Sequence, residues 1–176
     1  MDHTYIEKLI SVYNKSNEPD SFGCGGAFFY ANYVLCTGKI LCNNYKPIEM
    51  PFYCPHCVIT KFDGSMNKEK VIDFIKLKLN HNGWIPIDLT WMQSHCFILC
   101  SINDQIYIVD SYEYTRPLSK RRFDLDRLQD FLEHPSQLKW NTLFECEIEE
   151  YDWDEDIDSW DEEPPYALIF MWNHKV

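Results

Sequence analysis

A thiol attacks a carbonyl carbon only as its thiolate. A cysteine that does such chemistry needs a lowered pKa, which a helix N-terminus and a neighbouring imidazole can supply. Cys24 stands in Gly23-Cys24-Gly25-Gly26, directly ahead of the run Ala27-Phe28-Phe29-Tyr30-Ala31-Asn32-Tyr33-Val34-Leu35-Cys36. That run is apolar almost all round, so it reads as a buried central helix, with Gly38 as its end. At the start of such a helix the macrodipole favours an anion. The glycines let a substrate backbone approach, and the Cys24 N–H would serve as one oxyanion donor.

The imidazole is expected on a strand pair. Ser94-His95-Cys96-Phe97-Ile98-Leu99-Cys100-Ser101-Ile102 is followed by Asn103-Asp104 and then by Gln105-Ile106-Tyr107-Ile108-Val109-Asp110-Ser111-Tyr112. If Asn103-Asp104 is a two-residue turn, Ile102 faces Gln105 and His95 faces Tyr112. Residues opposite one another share a face, as do residues two apart on a strand. Asp110 then lies on the face of His95, diagonally across, where a carboxylate fixes the imidazole tautomer and supports the imidazolium. A three-residue turn would set the two on opposite faces. Taken singly, a strand histidine is more often a core or surface residue, a strand-end aspartate is often a turn cap, and a cysteine is most often a small hydrophobe. It is the combination and its order that point to catalysis.

A cysteine at a helix start, a histidine on a strand and an aspartate on the next strand, in that chain order, resembles the papain-like cysteine enzymes. The His-x-Phe-x-Leu strand at His95 and the Tyr-x-x-Asp-Ser strand at Tyr107 are similar to those of the compact papain-like effectors of bacteria, which include proteases and glutamine deamidases. The resemblance runs from about Cys24 to Tyr112. It implies Cys24 as nucleophile, His95 as general base and acid, Asp110 as orienter, and a papain-like fold whose central helix packs on a mostly antiparallel sheet. Papain-like proteases often carry a glutamine a few residues before the cysteine for the oxyanion hole. This chain has Glu18 there, with Asn14 and Asn17 nearby, and Asn17 is the amide that could substitute.

Other constellations compete. Cys54-Pro55-His56-Cys57 has the spacing of a redox pair, but Val58-Ile59-Thr60-Lys61-Phe62 after it is β-branched and poor helix material, against the strand-to-helix setting that such chemistry wants. Cys36, Cys42, Cys54 and Cys57 would make a four-thiolate zinc site, of which only the second pair has familiar spacing. Asp152, Asp154, Asp156, Asp158 and Glu163 match five positions of a calcium loop, yet Ile157 stands where such a loop needs glycine. The expectation is therefore no metal and no cofactor, with the four-cysteine zinc site as an alternative. Trp153 and Trp160 among these acids suit a docking surface for a basic protein partner.

The elements that must position these residues fit one domain over 1–176, with an acidic loop at about 149–165, since 176 residues suit one core better than two. Residues 145–163 hold twelve acids and no base, so the remaining 28 − 12 = 16 acids balance the 16 bases of the whole chain. A neutral body with an acidic segment has no footprint for nucleic acid. No apolar run opens the chain, so neither a Sec-type signal nor a membrane span is expected. The eight cysteines read as reduced thiols of a cytoplasmic protein, or of one delivered to a host cytosol without a Sec signal.

Helices are expected over 4–13, from 24 to 36, over 67–80 with Asn67 as N-cap, and over 124–134 with Asp124 as cap and Leu125, Leu128, Phe131 and Leu132 as apolar stripe. Residues 42–66, with Pro47, Pro51 and Pro55, read as irregular. Strands are expected at 85–89, 95–102, 106–112, 142–148 and 166–172. Helices followed by a mostly antiparallel sheet argue an α+β fold. The function expected is amide hydrolysis of a protein substrate through a thioester, as a peptidase or a glutamine deamidase, with a host protein among the candidate substrates. The alternatives are a non-enzymatic interaction protein using the acidic loop and a zinc-stabilised binding module.

Overall fold

Strands β3 (His95–Ile102) and β4 (Gln105–Asp110) form a hairpin whose turn residues, Asn103 and Asp104, both have positive φ, 49° and 60°. Such a turn matches the right-handed twist of the strands it joins, and asparagine and aspartate tolerate that backbone better than branched residues do. Ile102 pairs with Gln105 and Ile98 with Val109, so the two-residue turn and its register are as the sequence predicts.

The computed structural model describes residues 3–16, 23–39, 57–62, 67–90, 95–111, 118–133 and 168–174. In chain order the elements are α1 (His3–Ser16), α2 (Gly23–Thr37), β1 (Cys57–Phe62), α3 (Lys68–Asn82), β2 (Trp84–Thr90), the β3–β4 hairpin, β5 (Ser119–Arg122), α4 (Leu125–Glu133) and β6 (Leu168–His174). Among the described residues the strands make one six-stranded sheet in the order β1-β6-β2-β3-β4-β5, with each of these pairings antiparallel. β2 to β5 are a meander. β6 returns to run between β1 and β2, which are therefore parallel to one another with α3 as their crossover. The α+β class stands. Pro86 of β2 donates no backbone bond, and the ladder to β6 begins only at Ile87.

Two corrections to the sequence reading concern strands. Residues 57–62 are a strand rather than irregular chain, and 119–122 form a strand at the edge of the described sheet where none was expected. The expected strand at 142–148 and the acidic segment 145–163 lie outside the described residues.

Each face of the sheet is covered by helices that turn apolar side chains to it. On one face, Ile85, Ile87, Phe97, Leu99 and Ile108 pack with Val71, Ile72, Ile75 and Leu79 of α3 and with Leu125, Leu128 and Leu132 of α4. On the other, Ile98, Cys100, Ile102 and Val109 pack with Ile6, Leu9 and Tyr13 of α1 and with Ala27, Phe28, Tyr30, Ala31 and Val34 of α2. At roughly 1.5–3 kcal/mol for each fully buried aliphatic or aromatic side chain, these two layers supply most of the drive to fold.

Caps set the helix ends. The Asn67 side chain accepts from the Lys70 N–H, and Gly83, at φ 78°, closes α3 with its N–H on the Leu79 carbonyl. Asp124 Oδ1 accepts the Asp126 N–H at the start of α4. Gly38, at φ 66°, ends α2 by donating to the Val34 carbonyl.

Candidate functional site

Cys24 is the second residue of α2, within its first turn, and His95 is the first residue of β3. The backbone of both is described, and their side chains lie outside the described ones. Where the two elements begin, relative to one another, follows from the contacts of α1.

Asn14, near the C-terminus of α1, exchanges hydrogen bonds with the backbone of Leu118. Leu118 immediately precedes Ser119, which pairs with Asp110. The C-terminal end of α1 therefore sits at the end of the sheet where β4 stops and β3 starts. Along α1, the Tyr5 hydroxyl donates to the Val34 carbonyl of α2, whereas the ring of Tyr13 stacks on that of Tyr30 with centroids 5.0 Å apart. Moving towards the C-terminus of α1 thus moves towards the N-terminus of α2. The first turn of α2 is directed to the same sheet end, with Cys24 six residues beyond Tyr30, about 9 Å further along the axis.

At that end the register carries one step past Ile98–Val109 to set Phe97 opposite Asp110, and His95 two residues further on the same side of the sheet. Asp110 and His95 therefore share a face by strand alternation. That face also carries Phe97, Leu99 and Ile108, and it is covered by α3 and α4. α2 lies on the opposite face. Cys24 and His95 begin on opposite faces of the sheet at one end of it, so any approach between them runs around the strand ends rather than across a face.

Asp110 is a buried carboxylate, its side chain 0% exposed. Nη2 of Arg121, on β5, lies 2.9 Å from Oδ1 and 2.9 Å from Oδ2. Arg121 pairs with Ile108 and Asp110 with Ser119, so the two ion-pair partners are diagonal neighbours on one face. A carboxylate is buried at a cost of several kcal/mol unless a charge partner and hydrogen bonds repay it, and Arg121 is that partner. The sequence reading missed Arg121 because Ser119-Lys120-Arg121-Arg122 has none of the β-branched or aromatic signature of a strand. Its charges, suited to an edge strand, were the available signal.

The α2 side of the same end carries a second pair. Cys96 donates from Sγ to Asp88 Oδ1 at 3.3 Å, the two being directly opposed on β3 and β2. Ser111 is buried there as well. Asn14, one of the amides near Cys24 in sequence, is committed to Leu118, while Glu18 and Asn17 lie outside the described residues. Cys36 of the four-cysteine set donates to Asn32 Oδ1 at 3.5 Å. Cys42 and Cys54 lie outside the described residues, as does the side chain of Cys57. Among the described residues there is no cluster of three metal-ligating side chains, and no helix is long and apolar enough to cross a membrane.

Comparison with protein-family models, curated proteins and solved structures gives no match to this chain.

Proposed function

We propose that this chain is a cysteine-nucleophile amide hydrolase with a fold of the papain-like kind, acting on a protein substrate. Cys24 is the nucleophile, His95 the general base and acid, and Asp110 the carboxylate that orients His95. The observation that carries this reading is the convergence at one sheet end. The N-terminal turn of α2 is directed to the end where strand alternation puts His95 and Asp110 on one face, diagonally offset by two residues.

The chemistry follows from those positions. The N-terminal dipole of α2 favours the Cys24 thiolate. The thiolate attacks the amide carbonyl, and the tetrahedral oxyanion is met by backbone N–H groups of the glycine-rich first turn. His95 protonates the departing amine, or ammonia if the amide belongs to a glutamine side chain, leaving a thioester. A water molecule deprotonated by His95 then releases the acid and restores the thiol. Because α2 and the His95–Asp110 face lie on opposite sides of the sheet, the triad of this reading assembles around the strand ends rather than across a face.

The test is the pH dependence of iodoacetamide labelling, read site by site by mass spectrometry in wild type and His95→Ala. Cys24 is expected to label fastest of the thiols near neutral pH, with an apparent pKa well under the free value of about 8.5, and to lose that advantage in the variant. Equal labelling of Cys24 in both proteins would sink the triad. Ammonia release from a glutamine-rich protein, set against peptide-bond cleavage of the same protein, then separates deamidase from peptidase.

A further inference from the structure

We infer that Arg121 is a positioning residue, holding the Asp110 carboxylate in the orientation from which it meets the imidazole of His95. The inference rests on the reading of Asp110 and His95 as partners and adds a third member on the next strand.

The three residues form a row across β3, β4 and β5. By alternation His95, Asp110 and Arg121 all belong to the sheet face that α3 and α4 cover. A single guanidinium nitrogen donates to both oxygens of Asp110, at 2.9 Å each. That geometry fixes the carboxylate against rotation about its terminal bond, the softest torsion of an aspartate. An ionised carboxylate has about four lone-pair sites, so after these two bonds it still has capacity for a ring N–H.

The charge matters as much as the orientation. Asp110 has no solvent to hold its ionised form, its side chain being 0% exposed. Arg121 sets a positive charge directly against that buried carboxylate. Arg121 therefore acts on His95 through Asp110, from the far strand.

The experiment follows the His95 ring protons by NMR against pH in wild type, Asp110→Asn, Arg121→Gln and the double variant, each also in a Cys24→Ala background. If Arg121 acts through Asp110, each single substitution shifts the His95 pKa by about half a unit or more, Asp110→Asn downwards. The double variant then matches Asp110→Asn alone. If Arg121→Gln leaves the His95 titration where it was, or if it adds to the Asp110→Asn shift, the inference is overturned. Should Arg121→Gln fail to fold, Arg121→Lys, which keeps the charge but changes the donor that holds both carboxylate oxygens, takes its place, and an unmoved His95 titration there overturns the inference. A His95 titration that follows Asp110 and Arg121 while Cys24 labelling ignores His95 would sink the catalytic reading and leave the positioning role standing.

Discussion

The side chain of Asn14 and the backbone of Leu118, 104 residues apart, exchange two hydrogen bonds: Nδ2 donates to the Leu118 carbonyl at 3.0 Å, and the Leu118 N–H donates to Oδ1 at 2.8 Å. The amide thus takes the place of a neighbouring strand for a residue that is itself buried. It also ties α1, and through the Tyr13–Tyr30 contact α2, to the sheet end where His95 and Asp110 stand. Asn14→Ala leaves the two Leu118 backbone groups without this partner, a loss of about 1–2 kcal/mol. For a chain of this size the thermal midpoint is expected to fall by roughly 2–8 °C. Circular dichroism melts of Asn14→Ala against Lys15→Ala, one residue on and exposed, check this. Equal midpoints would mean that water replaces the clasp at no cost.

The hairpin turn offers a change of opposite sign. Asp104 has φ 60°, a conformation that costs an L-residue about 1 kcal/mol and glycine almost nothing. Asp104→Gly, which makes the turn Asn-Gly, is expected to raise stability by about 0.5–1 kcal/mol without altering the Ile102–Gln105 pairing. Urea unfolding with an unchanged slope and a raised midpoint is the expected result. A lowered midpoint would show that the Asp104 side chain contributes more than its backbone strain costs.

What could be read from the sequence was local, and what could not was the assembly of distant pieces. The β3–β4 register was legible because alternation and a two-residue polar turn specify it together. α3 was legible because Asn67 and Gly83 mark both ends. β1 was obscured by Pro51 and Pro55 before it and by its brevity, and β5 by its charges. The return of β6 between β1 and β2 is a pairing across the whole chain that no local pattern encodes. α2 was recognisable as a buried helix, but a run apolar all round has no stripe to say which sheet face it covers. That α2 lies opposite the face of Asp110, and that Arg121 neutralises Asp110, became visible only in three dimensions.

Lys120 ties β5 to α1 on the α2 side of the sheet. Its Nζ donates to Glu7 Oε1 at 2.6 Å, also bonds His3, and lies over the ring of Tyr107. The hydrogen bond from Lys120 holds the Glu7 carboxyl below the ordinary glutamate range. A carboxyl whose folded pKa is depressed gives its full stabilisation above the unfolded value and loses it as pH falls through the folded one. Glu7 is half exposed, so screening limits the pair to about 0.2–1 kcal/mol. Glu7→Gln is therefore expected to be slightly less stable than wild type at neutral pH and low salt. Chemical denaturation should find the gap closing at high salt, and closing again as the pH is taken down through and below the glutamate range. A gap that persists in acid would assign the effect to packing instead.

Cys100 tests whether α2 covers the sheet as described. Its side chain is buried between the sheet and the α1–α2 layer, and burial pushes its thiol up to about 12. At pH 8 only about one molecule in ten thousand would carry the thiolate at such a pKa, and a residue with 0% exposure admits no reagent. Modification of Cys100 must then pass through an opening that lifts α2 away. Its iodoacetamide labelling is expected to be slow in buffer and to accelerate in sub-denaturing urea with the slope of global unfolding. Cys36, which is only half-buried, should label faster, and without that steep urea dependence. If Cys100 instead labels as readily as Cys36, α2 opens locally without unfolding the sheet, and its N-terminal turn is no rigid mounting for the nucleophile proposed there. Steep urea dependence at Cys100 makes α2 part of the cooperative core, the rigid mounting that a nucleophile in its first turn requires.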